Sequence, residues 1–115
     1  MGMIEIYTQN EPDRAEVDAL GGLTLLEFGA PWCGHCQAAQ PLLAQVLEGR
    51  EGLYHLKIED GPGRPLGRSF RVKLWPTLVL MRQGKELARL VRPTNANDIR
   101  RALDRASGNK AADMA

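Results

Sequence analysis

Cysteine is scarce in this 115-residue chain: Cys33 and Cys36 are the only two. A structural zinc site needs about four ligands, usually from paired Cys-x-x-Cys units or closely spaced histidines. The two histidines, His35 inside the motif and His55 far from it, do not supply that pattern, so no metal is expected. A disulfide across so short a loop removes little chain entropy and is a poor staple. Net charge is nearly absent as well. The balance of +1, with both signs interspersed, gives no electrostatic footprint for nucleic acid or an anionic membrane. Arg100, Arg101 and Arg105 are offset by Asp98 and Asp104 and read as a solvated helix face. There is no run of about 20 apolar residues to span a bilayer. Met1 to Tyr7 lacks the basic start and apolar stretch of a secretory signal, which makes the cytoplasm the expected compartment.

What remains is a chain that is 43% apolar and long enough for one domain with its own core. Met3 to Tyr7 reads as a short strand, and Glu11-Pro12-Asp13 opens a helix that Gly21-Gly22 ends. Leu23 to Phe28 is nearly all apolar, the pattern of a strand covered on both faces. A helix starts at the cysteines, carries Leu42, Leu43, Val46 and Leu47 on one side, and contains Pro41. Leu53 to Ile58 alternates as a strand, and Leu66 to Arg71 supports only a short helix. Thr77 to Met81 and Glu86 to Val91 form a hairpin around Gln83-Gly84, and a final helix runs from about Asn97. The order β-α-β-α-β-α-β-β-α predicts an α/β fold with a central mixed sheet flanked by helices. Residues 1–107 form the domain; 108–115, without periodicity, read as a frayed tail.

The chemistry concentrates at Cys33-Gly34-His35-Cys36, directly after an apolar strand and at the start of a helix. Such a corner reads as a dithiol/disulfide centre. Unpaired N–H groups and the dipole at a helix N-terminus favour an anion, which suits the first thiol to nucleophilic attack. The second thiol, one turn on, is placed to close a small ring and release whatever the first has attacked. Glu27 shares a strand face with Leu23 and Leu25, and burial there is expected to raise its pKa.

The segment Phe28-Gly29-Ala30-Pro31-Trp32-Cys33-Gly34-His35-Cys36, Pro41, Trp75-Pro76-Thr77 and Gly84 together resemble the thioredoxin family across roughly residues 3–107. The resemblance implies the thioredoxin fold and a thiol–disulfide oxidoreductase with no cofactor beyond a redox-active Cys33–Cys36 disulfide. It makes Cys33 the exposed attacking thiol, Cys36 the shielded resolving thiol, and Glu27 the acceptor of the Cys36 proton through water. Trp32, Gly34, His35, Trp75, Pro76 and Arg92 fall on the substrate-binding surface, with Trp75–Pro76 expected in the cis form. The partners implied are protein disulfides and an NADPH-dependent thioredoxin reductase, acting on a monomer.

His55 falls where the family carries a buried lysine, and reads from its strand as a half-buried side chain. Gly29 stands where an aromatic is usual, implying looser packing behind the dithiol, and Arg92 replaces a glycine beside it. His35 and Trp75 resemble the disulfide isomerases more than the thioredoxins, which keeps oxidation or isomerisation as an alternative to reduction. A binding or chaperone module with incidental redox activity is the alternative from another class.

Overall fold

The computed structural model of the protein describes residues 3–8 and 10–114, with side chains as far as residue 108. Four strands form one sheet in the order β2-β1-β3-β4. They are β1 (Leu23–Gly29), β2 (Leu53–Glu59), β3 (Thr77–Arg82) and β4 (Lys85–Val91). The β1–β2 pair is parallel; β1–β3 and β3–β4 are antiparallel, which gives the expected mixed sheet. The helices are α1 (Arg14–Asp18), α2 (Gly34–Leu47), α3 (Pro65–Ser69) and α4 (Ala96–Met114).

The period-two alternation of β1 divides the core in two. Leu23 and Leu25 pack with Leu43 and Leu47 of α2 and Ile99 and Leu103 of α4. Leu26 and Phe28 face the other way, onto Val17 of α1, Leu66 of α3 and the adjoining Phe70. Every residue of β1 is buried, as a strand covered on both sides must be. Glu27 therefore falls on the α2 face, in line with Leu23 and Leu25.

Two expectations need correction. Residues 3–7 are not a strand: Ile4 N–H spends its bond on the His55 ring (2.9 Å) instead of a main-chain carbonyl. The segment still follows β2, where the Thr8 N–H reaches the Lys57 carbonyl at 2.8 Å. At the other end, α4 carries the helical backbone past Gly108 to Met114, where a frayed tail was expected. Alanine and lysine sustain a helical backbone without an apolar stripe; Ala115 lies outside the described residues.

Register sets the position of the site. Phe28 lies opposite Thr77, and Thr77 opposite Val91, so three chain segments leave the sheet at the same end. These lead to the cysteines, from the 74–76 loop, and to Arg92. Asp60 joins them through its N–H bond to the Gly29 carbonyl at 2.8 Å.

Candidate active site

Cys33 caps the N-terminus of α2. Its backbone is extended, and its sulfur accepts the Cys36 N–H at 3.2 Å, satisfying one of the donors the helix leaves unpaired. Both thiols are free. Cys33 is recessed and not exposed as expected: 7% of its surface is accessible, against 1% for Cys36. Burial, reinforced by Cys33, pushes the Cys36 thiol up to about 12, only partly offset by the Ala30 backbone and the Tyr7 hydroxyl. Cys36 thus holds its proton in the resting site.

Around Cys33 the surface is open and apolar. Trp32 is 72% exposed and packs edge-on against Trp75 at 5.4 Å between ring centroids. Gly34 and His35 are exposed in the first turn of α2, and Leu74 and Val91 extend the apolar rim. The Trp75–Pro76 bond is cis, as expected. Trp75 is fixed by its indole N–H, which donates to Asp60 at 2.9 Å. Asp60 in turn needs Gly67, where a Cβ would lie 2.3 Å from its carboxylate. Arg92 does not reach across to the cysteines. Its Nε donates to the Trp75 carbonyl at 2.8 Å and its main-chain N–H to the Pro76 carbonyl at 2.9 Å, with φ at +49°.

Behind Cys36 the site is buried and ionic. Glu27 Oε1 lies 2.9 Å from His55 Nε2, while Oε2 accepts from Lys57 Nζ (3.1 Å) and Gln40 Nε2 (2.8 Å). Because Ile4 N–H donates to His55 Nδ1, the ring proton sits on Nε2 and points at Glu27. Gln40 also donates to the Cys36 carbonyl and accepts from Lys57, tying the carboxylate to the resolving cysteine's helix.

The pKa expected for Glu27 is overturned. Burial does push it upward, but the His55 hydrogen bond, the Lys57 ammonium and Gln40 outweigh burial and hold it below the usual carboxylate value. His55 is likewise fully buried and not half-buried, and Lys57, two residues on, shares the place given to it.

Lys57, Gln40, Tyr7 and Asp60 are site residues that the sequence reading passed over. Lys57 had a signal: Leu53, His55 and Lys57 alternate on the inward face of β2. Tyr7 had none beyond the missing side chain at Gly29. A cavity of about 400 Å³ opens behind Cys36, lined among others by Tyr7, Cys36, Gln40 and Lys57. Among the described residues, no three His, Cys, Asp or Glu side chains gather as a metal set.

A cysteine pair at a strand-to-helix corner, faced by a cis-proline loop and backed by a buried acid, defines the thioredoxin-like class of dithiol sites. The chain belongs to the thioredoxin family, whose model matches residues 6–105. It is 34% identical to a thioredoxin of Chlamydia muridarum over 90 residues, covering 77% of this chain and 84% of that one. Among solved structures, reduced thioredoxin 2 of Pseudomonas aeruginosa PAO1 is 56% identical with a TM-score of 0.81, covering 90% of this chain and 95% of that one. A 64-residue stretch is 45% identical to protein disulfide-isomerase A2 of Pongo abelii, of whose length this chain spans only 12%. It spans half of thioredoxin H2-1 of Oryza sativa subsp. japonica, with 32% identity over 69 residues.

Proposed function

We propose that this protein reduces disulfides in other proteins. The observation that carries the reading is the asymmetry of the pair: Cys33 at the helix cap under an apolar rim, Cys36 more deeply buried behind it, where burial pushes its thiol pKa upward. Cys33 attacks a substrate disulfide, one substrate sulfur leaves as thiolate, and a mixed disulfide forms. Cys36 then gives up its proton and attacks Cys33. The second substrate sulfur departs, and the Cys33–Cys36 disulfide remains for re-reduction. Exposed Trp32, Gly34 and His35 and half-buried Trp75 form the docking face, with Pro76 buried beneath it and setting the turn of the loop.

Glu27 is the acceptor we assign to the Cys36 proton, passed through water in the cavity that Cys36 lines together with two of the carboxylate's partners, Gln40 and Lys57. Its lowered pKa makes it a conduit and not a resting place for that proton. A flavoprotein reductase using NADPH is the electron donor implied by family membership, and the cytoplasm is the compartment in which such a reductant stays supplied. His35 and Trp75, with the local likeness to an isomerase, favour a second reading in which the domain oxidises or isomerises disulfides.

Reduction of insulin disulfides in the presence of dithiothreitol tests the assignment. Turnover well above the thiol alone is expected; none would leave a binding module. The reduction potential then separates reductant from oxidant.

A further inference from the structure

We propose that Tyr7 is a positioning residue for the resolving step, its hydroxyl donating a hydrogen bond to the Cys36 sulfur as that sulfur becomes a thiolate. The inference rests on the dithiol chemistry above and adds a residue to it. Gly29 is the geometric key. A Cβ built there would lie 2.5 Å from Cys36 Sγ and 3.1 Å from the Tyr7 hydroxyl, so the phenol and the thiol face each other across the space that the glycine leaves. A side chain at 29 would strike both. An aromatic ring is thus brought in from the N-terminal segment beside Gly29, and the packing behind the dithiol stays loose enough to leave the cavity that Tyr7 and Cys36 line.

The segment is held so that this approach persists. Ile4 is bound to His55, Thr8 is bound through both its N–H and its hydroxyl to the Lys57 carbonyl, and the Lys57 ammonium lies 4.7 Å over the Tyr7 ring. The phenol faces Cys36, Cys33, Glu27 and Lys57, and burial, the charge Cys36 carries once ionised, and the Glu27 carboxylate raise its pKa. It therefore stays a donor throughout the working pH range and takes no proton from Cys36. That proton leaves to water in the cavity that Tyr7 and Cys36 both line. The Cys36 thiolate attacks Cys33 Sγ, the Cys33–substrate S–S bond breaks, the Cys33–Cys36 bond forms, and the substrate sulfur departs with the electron pair. Tyr7 stabilises the attacking charge and is unchanged at the end.

The size of the effect follows from two opposed terms. Loss of one charge-assisted hydrogen bond makes Cys36 about ten-fold harder to ionise. A more basic thiolate is also the better nucleophile, by about three-fold for that shift. The net expectation is a three- to four-fold slower step, on the order that these two terms leave.

Stopped-flow reaction of the reduced protein with 5,5′-dithiobis(2-nitrobenzoate) separates the steps. Attack by Cys33 releases the first thionitrobenzoate and attack by Cys36 releases the second. Tyr7→Phe, which keeps the ring over Lys57, is expected to slow the second phase three- to four-fold between pH 6 and 8 and leave the first unchanged. Biosynthetic 3-fluorotyrosine in a Tyr54→Phe background, with a more acidic phenol at position 7 alone, is expected to speed the second phase. A second phase unmoved by either change, or both phases slowed together in Tyr7→Phe, would overturn the assignment. The first phase of the unaltered protein reports the dithiol chemistry itself, so a failure there is distinct from a failure of Tyr7.

Discussion

The two sulfurs of this site are three residues apart and sit in opposite surroundings. The Cys33 side is a surface: exposed Trp32, Leu74 and Val91, an indole fixed by Asp60, and the helix cap itself. The Cys36 side is an interior: a carboxylate bonded to an imidazole, an ammonium and an amide, the last two also bonded to each other, beneath α2. Apolar rims recognise extended chain and exclude water, whereas buried polar networks hold charge in place at a cost that only complete pairing offsets. On the function proposed above, one side serves docking and the other proton and charge control. Substitutions on the two sides should therefore fail in different ways.

The largest effect separates the sulfurs themselves. Cys33→Ser is expected to abolish insulin reduction, because no nucleophile remains on the docking side. Cys36→Ser is expected to retain attack and stop at the mixed disulfide, which non-reducing electrophoresis detects as a trapped covalent species. In the native protein iodoacetamide should label Cys33 first, since Cys36 is both deeper and held protonated. Equal labelling would erase the distinction between the two sides.

Next comes the interior network. Glu27→Gln removes the counter-charge of Lys57, a side chain only 3% exposed, and breaking a buried pair from one side typically costs about 3 kcal/mol. Urea unfolding at pH 7 should show a loss of that order, and Glu27→Gln with Lys57→Met should recover much of it. The pH dependence has a definite sign. A carboxyl held below its unfolded value contributes stability above that value and loses it as pH falls through the folded one. Acid unfolding should therefore be shallower in Glu27→Gln than in the native protein. A variant as stable as the parent would mean that the pair is not energetically closed.

How much of this was legible in the sequence differs between the two sides in the same way. The docking side depends on residues adjacent in sequence to their structural roles: Cys33 at a helix start, Pro76 at a strand start, Gly84 in a turn. Local chemistry marks the helix start, the strand start and the turn, and the mixed sheet follows from their order; the cis bond at Pro76 follows from the family resemblance, and the exposure expected of Cys33 does not hold. The interior depends on pairs far apart in sequence, such as Glu27 with His55 and Lys57, whose energies appear only once register is known. Burial alone predicted a raised Glu27 pKa; the partners that reverse it come from another strand and helix. Tyr7 was invisible for the same reason, since nothing local ties it to Gly29 or Cys36.

Within the docking side, His35 tests whether the exposed face also tunes the driving force. A histidine between the cysteines that turns a ring N–H toward the Cys33 sulfur favours the reduced form. Potentials run from about −270 mV for thioredoxins to about −180 mV for disulfide isomerases, and a value between them is expected here. His35→Pro, tolerated in the first turn of α2, should lower it by some tens of millivolts, on the order of 1–2 kcal/mol. A glutathione titration showing no change or a rise would confine redox tuning to the interior.

The smallest expected effect is at Arg92, where docking and stability can be told apart. Its left-handed backbone costs about 1 kcal/mol for a non-glycine residue. Its bond to the Trp75 carbonyl returns a similar amount, and glycine adds chain entropy to the unfolded state. Arg92→Gly should therefore leave unfolding free energy within about 1 kcal/mol of the native protein. The guanidinium also occupies an acceptor on the loop that the proposed docking face offers to an extended substrate. Its removal should lower KM for a disulfide-bearing protein by a few-fold, with kcat and the rate of Cys33 alkylation unchanged. Arg92→Lys keeps the charge and the strained backbone while losing the planar donor, and should fall between the two. A rise in KM in Arg92→Gly would reverse the assignment, making the arginine a contact for the substrate instead of a latch on Trp75.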